Sequence, residues 1–239
     1  MTVRRIVKFG GSLLSRPEWP DQLRRWLQGH RQEQIVLMVG GGKMIDAIRD
    51  IDVHHRLPSD DVHWRCVQLL DATFDVVRWT LPELATIAQQ SEWQSFVEAA
   101  KTPGIHLLRI AAYYVRETPD AENPSDGDAT RPSRGWARHR LPWDWQTTTD
   151  AIAVAMAADA AADCVTLLKS CDPGPNAIVS GSSFAAANDA DTSPFRTSDR
   201  SVRSPMTVAD WRAAGWIDHA TPAIARLFRG TIHLERLPD

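Results

Sequence analysis

The sequence predicts an α/β fold, a three-layer αβα sandwich whose central sheet is mostly parallel. The first observation is an apolar strand pattern that ends in glycines and leads into a helical pattern, found at 4–27 and again at 34–51. Strands and helices that alternate in this way are typical of parallel sheets with helices on both faces. The second observation is size, because 239 residues with 43% hydrophobic side chains can bury one substantial core.

The amino-terminal elements follow from short sequence signals. RRIVKF at 4–9 is a buried strand, and the GGS that directly follows its last residue marks a turn. Early prolines, apolar residues at helical spacing and a closing glycine predict an amphipathic helix at 17–30. QIVLMV at 34–39 is a second buried strand that ends in three glycines, and a helical period resumes at 43–51.

The later elements are predicted in the same way. A long helix covers 59–79, with Ser59 or Asp60 as its N-terminal cap. Weaker helical patterns at 82–89 and 91–100 precede a strand at 104–115, and an alanine-rich helix begins near Thr149 and Asp150. The remaining elements are a buried strand at 164–169, short helices at 207–217 and 221–228, and a closing strand at 230–237.

Two segments rich in small and polar residues, 118–134 and 180–204, are predicted to be long loops. The first of them is a natural seam between two lobes. We therefore expect a single domain over 1–239, with an amino-terminal lobe at 1–140 and a carboxyl-terminal lobe at 141–239.

Composition excludes several classes of protein. A net charge of −3 argues against a nucleic-acid surface, which needs a basic stripe, and no run of about 18 apolar residues predicts a membrane span. Cys66, Cys164 and Cys171 are too few and too scattered for a disulfide framework or a zinc site. The histidines near residue 55 lack the spacing of further metal ligands, so we predict no protein-bound metal. We expect a cytoplasmic protein with reduced thiols.

Three loops that carry glycine or lysine follow predicted strands: KFGGS at 8–12, VGGGK at 39–43 and LLKSCDPG at 167–174. The carboxyl ends of parallel strands meet at one edge of a sheet, so we expect these loops to lie together. Glycines let the main chain approach an anion, and helix N-termini direct free N–H groups at it. Phosphoryl transfer needs such groups, because its catalysis consists mostly of positioning and charge neutralisation.

Lysine usage and two motif comparisons refine this prediction. Only 4 of the 27 basic residues are lysines, at 8, 43, 101 and 169. In a chain that otherwise uses arginine, a lysine indicates a position that needs a compact charge. Codon bias would also produce the scarcity of lysine. Lys43 is explained equally well by a solvated helix start. Met44 stands where a Walker A loop needs Ser or Thr, and Ile45 stands where the dinucleotide fingerprint needs Gly or Ala.

These motifs resemble the amino acid kinases, the family of the acetylglutamate, aspartate, uridylate, carbamate and isopentenyl phosphate kinases. Members carry Lys-x-Gly-Gly-Ser after the first strand, three glycines after the second, a Thr/Ser-Asp helix start and a later Lys/Thr-x-Val-Asp-Gly-Val loop. The matching residues are Lys8, Gly10, Gly11, Ser12, Gly40, Gly41, Gly42, Thr149, Asp150, Lys169, Asp172 and Gly174. LPWDWQTTTDAIAVAMA at 141–157 resembles more narrowly the branch of the (aminomethyl)furanmethanol-phosphate kinase of methanofuran biosynthesis.

The resemblance implies an ATP-dependent kinase that transfers the γ-phosphoryl group to a small phosphate- or carboxylate-bearing acceptor, more narrowly a furan phosphate of one-carbon cofactor biosynthesis. ATP would bind the carboxyl-terminal lobe with Mg²⁺ on its phosphates, the acceptor would bind the amino-terminal lobe, and a homo-oligomer is expected. The implied catalytic residues are Lys8, Asp150 and Lys169. The implied nucleotide-binding residues are Lys8, Gly10, Gly11, Ser12, Lys169, Asp172 and Gly174, and the acceptor-binding residues are Gly40, Gly41, Gly42, Arg56 and Thr149.

Alternatives stay open on the sequence alone. Many family members use a lysine in a later Gly-Met-x-x-Lys segment, but no lysine follows Lys169, so Lys169 is the candidate for that role. Asp150 could equally be an ordinary helix cap. The rival function is that of a non-catalytic nucleotide-binding sensor or storage relative, and a Rossmann-type oxidoreductase is a distant third.

Overall fold

A sheet of seven strands forms the centre of the chain in a computed structural model that describes residues 1–116, 137, 140–170, 178–180 and 208–237. The strands are β1 (Arg4–Phe9), β2 (Gln34–Val39), β3 (Ala85–Ile87), β4 (Gly104–Leu108), β5 (Cys164–Lys169), β6 (Ile178–Ser180) and β7 (Thr231–Arg236). Their order in the sheet is β3-β4-β2-β1-β5-β7-β6. Neighbours pair in parallel except β6, which runs antiparallel to β7 at the edge. The predicted mostly parallel sheet is confirmed.

Helices cover both faces of this sheet. They are α1 (Trp19–Gly29), α2 (Lys43–His55), α3 (Ser59–Thr80), α4 (Gln90–Glu98), α5 (Thr149–Asp159), α6 (Val208–Ala213) and α7 (Thr221–Ala225). One buried apolar cluster joins α5 to the face that carries Ile6 and Met38. A second cluster joins α1 to the face that carries Val7 and Leu37. The three-layer αβα architecture follows from these two cores.

The position of β1 decides where the two candidate catalytic lysines lie. β1 is in the middle of the sheet, between β2 and β5. Lys8 pairs with Leu167 of β5, and side chains two residues apart on a strand share a face, so Lys8 and Lys169 both point toward α5. Both residues also lie near the carboxyl ends of their strands. The sheet therefore places two ammonium groups at one edge and on one face.

Three local predictions were wrong. The segment predicted as a helix at 82–89 forms the short strand β3, because its hydrogen bonds come from β4, and this pairing outweighs a weak helical period. The strand predicted at 104–115 ends at Leu108, and a 3₁₀ turn follows at Ile110–Ala112. Neither Ser59 nor Asp60 caps α3, since Pro58 holds that position and no side chain caps the helix, while Asp60 pairs with Arg116.

Both halves of the chain contribute to one continuous sheet, because β1 pairs with β5. The division into lobes at residue 140 stays a prediction. The predicted loops at 118–134 and 180–204 lie outside the described residues, apart from Ser180 at the end of β6. Within the described ranges, none of the helices is both long and apolar enough to cross a membrane.

Candidate functional site

The centre of the site is a carboxylate held between two ammonium groups. Oδ2 of Asp150 accepts a hydrogen bond of 2.5 Å from Nζ of Lys169, and Oδ1 lies 2.9 Å from Nζ of Lys8. Each carboxylate oxygen of Asp150 is therefore paired with one ammonium group. The side chains of Lys8, Asp150 and Lys169 are only 9%, 5% and 14% exposed. Two positive charges thus share one negative charge in a nearly buried cluster.

Burial and the neighbouring charges control protonation in this cluster. Burial opposes ionisation of Asp150, but Lys169 and Lys8 outweigh it and lower the pKa of Asp150 to about 2. Burial lowers the pKa of Lys8, against the attraction of Asp150 and with a further contribution from the charge of Lys169. Burial therefore destabilises the ammonium form of Lys8. An anion bound beside Lys8 would stabilise that form.

Two glycine loops bring main chain against the cluster. A Cβ on Gly11 would overlap the backbone of Gly40 and Gly42, so the loops after β1 and β2 touch main chain to main chain. Gly42 has φ of 52°, in the left-handed region that favours glycine. A Cβ on Gly40 would lie 3.1 Å from both Cε of Lys8 and Oγ1 of Thr149. Side chains on these loops would fill the space beside the lysines.

Two helices begin at the cradle, the site formed by Lys8, Lys169 and the two glycine loops. α2 starts directly after Gly42, and α5 starts at Thr149, so the positive ends of both helix dipoles lie at the glycine loops. The cap of α5 is Thr148, whose hydroxyl accepts a hydrogen bond of 3.4 Å from the backbone N–H of Asp150. The reading of Asp150 as the helix cap is therefore wrong, and its carboxylate is used on the lysines instead.

A cavity of about 290 Å³ opens beside the cluster. Its lining includes the lysines, both glycine loops and Thr149, together with an apolar wall formed by Val67, Leu70 and Ile152. The other lining residues are Ile45, Asp46, Arg49, His63, Cys66, Asp144, Trp145, Thr147 and Thr148. A small ligand with an apolar body and a charged end fits this combination of walls.

Arg49 is a third cation of the cavity, and the sequence analysis missed it. Its guanidinium carbon lies 5.0 Å from the centre of the Trp145 ring, and Nη1 donates a hydrogen bond of 2.8 Å to Asp46. The indole N–H of Trp145 donates to Asp52 at 2.6 Å, which fixes the ring. The other N–H groups of Arg49 have no partner among the described residues. From the sequence alone, Arg49 would be interpreted as a surface residue that pairs with Asp46 on the same helix. Its position at the cavity becomes visible only in the fold.

His63 lines the same cavity but is fully engaged by protein groups. Nδ1 donates to the backbone oxygen of Asp144 at 3.3 Å, which leaves Nε2 to accept from the hydroxyl of Tyr114 at 3.0 Å. Burial lowers the pKa of His63, so the ring is held neutral. In the part of the chain that the structure describes, no three His, Cys, Asp or Glu side chains are grouped to hold a metal ion.

The structure brings most of the predicted site residues together. Those that contact or line the cradle are Lys8, Gly10, Gly11, Ser12, Gly40, Gly41, Gly42, Thr149, Asp150 and Lys169. Arg56 is not brought to the cavity: it is exposed in a left-handed conformation (φ 49°) at the far end of the 13-residue helix α2, about 20 Å from Lys43. Lys43 is exposed and does not line the cavity either. Asp172 and Gly174 lie outside the described residues.

Comparisons with known proteins agree with this architecture. The sequence matches no protein-family model and no curated protein. The structure is similar to uridylate kinase from Archaeoglobus fulgidus, with a TM-score of 0.53 and 15% identity over 97% of this chain and 90% of that chain. It is also similar to UMP kinase from Ureaplasma parvum, with a TM-score of 0.58 and 11% identity over 100% of this chain and 92% of that chain.

Aspartate kinase from Synechocystis is a third similar structure, with a TM-score of 0.52 and 15% identity over 98% of this chain and 38% of that longer one. Uridylate and aspartate kinases share the amino acid kinase architecture. The chain described here therefore has an amino acid kinase-like α/β fold, and the predicted fold class is confirmed.

Proposed function

We propose that the protein is an ATP-dependent kinase that transfers the γ-phosphoryl group of ATP to a small acceptor. The observation that carries this proposal is the bridging of Lys8 and Lys169 by Asp150 against two glycine loops. An excess of buried positive charge beside close-approaching main chain and two helix N-termini is suited to phosphoryl oxygens. The fold shared with uridylate and aspartate kinases adds support at the level of architecture.

In the proposed reaction an acceptor oxygen attacks the γ-phosphorus. The new oxygen–phosphorus bond forms as the bond to the bridging β,γ-oxygen breaks, and ADP leaves with that electron pair. Lys8 and Lys169 would stabilise the negative charge on the phosphoryl and leaving oxygens, because buried ammonium groups act strongly where water is excluded. Asp150 would hold the two ammonium groups at fixed positions without neutralising both. No covalent enzyme intermediate is required.

Magnesium fits this scheme as part of the substrate. Mg²⁺ is commonly bound through nucleotide phosphates and water with few protein ligands, and the cradle offers main-chain N–H groups and ammonium groups rather than a carboxylate cage. We therefore propose that Mg²⁺ enters with ATP, where it neutralises phosphate charge. The residues of the chain would then act on the oxygens that the metal leaves free.

We further propose that the acceptor carries a phosphate or carboxylate that Arg49 recognises. The guanidinium is oriented by Trp145 and keeps N–H groups free among the described residues, and a planar fork suits a two-oxygen anion. The apolar wall would contact the acceptor body. The narrower proposal of a furan phosphate is supported by the LPWDWQTTTD motif at 141–150, whose residues Trp145 and Thr149 line the cavity. Arg56 remains a second candidate for the anion contact.

A paired measurement tests the kinase proposal against the nucleotide-binding alternative. Millimolar Mg²⁺-ATP should raise the melting temperature, because a ligand selective for the folded state stabilises it. ADP should then be released in proportion to added acceptor, in a panel of small phosphates and carboxylates that includes a furan phosphate. A melting shift without acceptor-dependent ADP release would favour the non-catalytic sensor. Absence of both effects would exclude both functions.

A further inference from the structure

We propose that Asp218 is a positioning residue that holds the first turn of α5, and with it Asp150, in place against the lysine pair. The carboxylate of Asp218 joins two helix starts. Oδ2 accepts hydrogen bonds from the backbone N–H and hydroxyl of Thr148 at 2.8 and 2.7 Å and from the N–H of Ala151 at 3.2 Å. Oδ1 accepts from the backbone N–H and hydroxyl of Thr221, at the start of α7, at 2.7 and 2.6 Å.

The bonds to Asp218 lie on both sides of Asp150. Thr148 precedes Asp150 by two residues and Ala151 follows it, so the turn between them is held at both ends. Lys8 and Lys169 are on neighbouring strands of the central sheet, whereas Asp150 is on a helix. The register of that helix against the sheet decides where the bridging carboxylate lies. Thr148 already caps α5, so a stable helix start does not by itself require Asp218.

Charge links Asp218 to the same cluster. Burial lowers the pKa of Lys8, and the negative charges of Asp150 and, with a smaller effect, Asp218 oppose this shift. Burial and the charge of Asp150 raise the pKa of Asp218, while the hydrogen bonds from Thr221 and Thr148 favour its carboxylate form. A further main-chain bond of 3.0 Å, from Ala220 N–H to the oxygen of Gln146, ties the start of α7 to the segment before α5.

Three variants separate positioning from simple helix capping. Asp218→Asn keeps the shape of the side chain but replaces one acceptor oxygen with an amide, so part of the contact to the helix starts is lost. Thr148→Val removes the hydroxyl bond to Asp218 and also the cap bond that the backbone N–H of Asp150 donates to that hydroxyl, so it tests the whole anchor of Asp150 on the α5 side. Thr221→Val is the matched control, because it removes the equivalent hydroxyl bond on the α7 side and leaves the α5 side intact. If Asp218→Asn fails to fold, the two threonine variants decide the question.

The first readout is titration of the lysines, which needs no substrate. The chain has four lysines, at 8, 43, 101 and 169, so NMR of protein labelled at lysine Cε should give four assignable signals. Asp218→Asn should lower the pKa of Lys8 below its wild-type value, because a negative charge is removed, and Thr148→Val should shift it through the displaced Asp150. Thr221→Val should leave the Lys8 signal unchanged.

The second readout is turnover, which rests on the proposed function. Asp218→Asn and Thr148→Val should lower kcat about tenfold or more while the acceptor KM changes little, because small misplacements of catalytic groups are costly. Thr221→Val should keep the wild-type kcat. If all three variants lose similar stability and none alters Lys8 titration or kcat, Asp218 is only a helix cap and the inference is overturned. If wild type shows no turnover at all, the proposed function fails, and the Lys8 titration still decides the role of Asp218.

Discussion

The carboxylate of Asp150 accepts a hydrogen bond of 2.5 Å from the ammonium group of Lys169, at the edge of the sheet where β5 ends. Lys8 approaches the other oxygen of the same carboxylate at 2.9 Å. Because one negative charge serves two positive charges, the cluster keeps positive charge for a ligand.

Replacement of Asp150 by Asn should reveal a pH-dependent stabilisation. The pKa of Asp150 is about 2 in the folded protein against 3.8 for an ordinary Asp, so its ionisation stabilises the fold above pH 3.8, and this contribution disappears as the pH falls from 3.8 toward 2. The full contribution is about 2 kcal/mol. Urea unfolding of wild type and Asp150→Asn between pH 6 and pH 2.5 should therefore give a stability difference that shrinks in acid. A difference that stays constant over this range would contradict the shared ion pair.

Replacement of Lys8 by Met should separate stability from function. Burial lowers the pKa of Lys8, so its charge costs stability at neutral pH, and that cost vanishes only as the pH rises past the ordinary lysine value of 10.5. Methionine fills a similar volume without the charge. The unfolding free energy of Lys8→Met at pH 7 should stay close to that of wild type, because relief of the buried charge offsets the lost ion pair and Asp150 keeps Lys169 as its partner, although turnover is lost. Destabilisation by several kcal/mol would show that the charge is structural rather than functional.

Substitution of Gly11 by Ala should disturb the cradle. The new methyl group would overlap the backbone of Gly40 and Gly42, so the two loops must separate, with an expected loss of about 1–3 kcal/mol and weaker ATP binding. Gly29→Ala is the control, because a Cβ there meets nothing within 4 Å at the end of α1. It should be neutral or stabilise the fold by up to about 1 kcal/mol. Equal ATP affinity in both variants, measured by calorimetry, would remove the glycine loops from the proposed site.

Arg49 lies within α2 and Arg56 directly follows its last residue, so substitutions of these two arginines form a matched pair. Arg49→Gln should raise the acceptor KM by about one to two decades, which corresponds to loss of a charged hydrogen bond of about 1.5–3 kcal/mol, while the KM for ATP stays close to wild type. Arg56→Gln should change neither value, because Arg56 is exposed and outside the cavity. The reverse result would assign the acceptor contact to Arg56 as the sequence resemblance implies.

The cradle could be predicted from the sequence, because the signals that indicate it are local. Lys8 and Lys169 each lie near the carboxyl end of an apolar strand pattern, and parallel strands bring their carboxyl ends to one edge, so their proximity follows from the fold class. Asp150 could be assigned two roles from the sequence. The choice between cap and bridge needed the geometry of Thr148, which takes the cap position.

The rest of the site depends on contacts distant in sequence. Asp218 acts on Thr148 across 70 residues, and nothing in its local pattern indicates a role at the start of another helix. Arg49 has the spacing of a surface pair with Asp46, and its place beside Trp145 depends on how α2 meets a segment nearly 100 residues later. The edge strand β3 was missed for a similar reason, since its structure comes from pairing with β4.

The most direct test of the central claim is transfer of the labelled γ-phosphoryl group of ATP to an acceptor by wild type, Lys8→Met and Lys101→Met. Lys101 pairs with Asp163, just before β5 begins and therefore at the opposite edge of the sheet from the cradle. Wild type and Lys101→Met should form the labelled product at similar rates. Lys8→Met should be slower by about a hundredfold to a thousandfold, because it loses a buried charge on the transferring group. Transfer by Lys8→Met at the wild-type rate, or no transfer by wild type to any phosphate or carboxylate in the panel, would contradict the account.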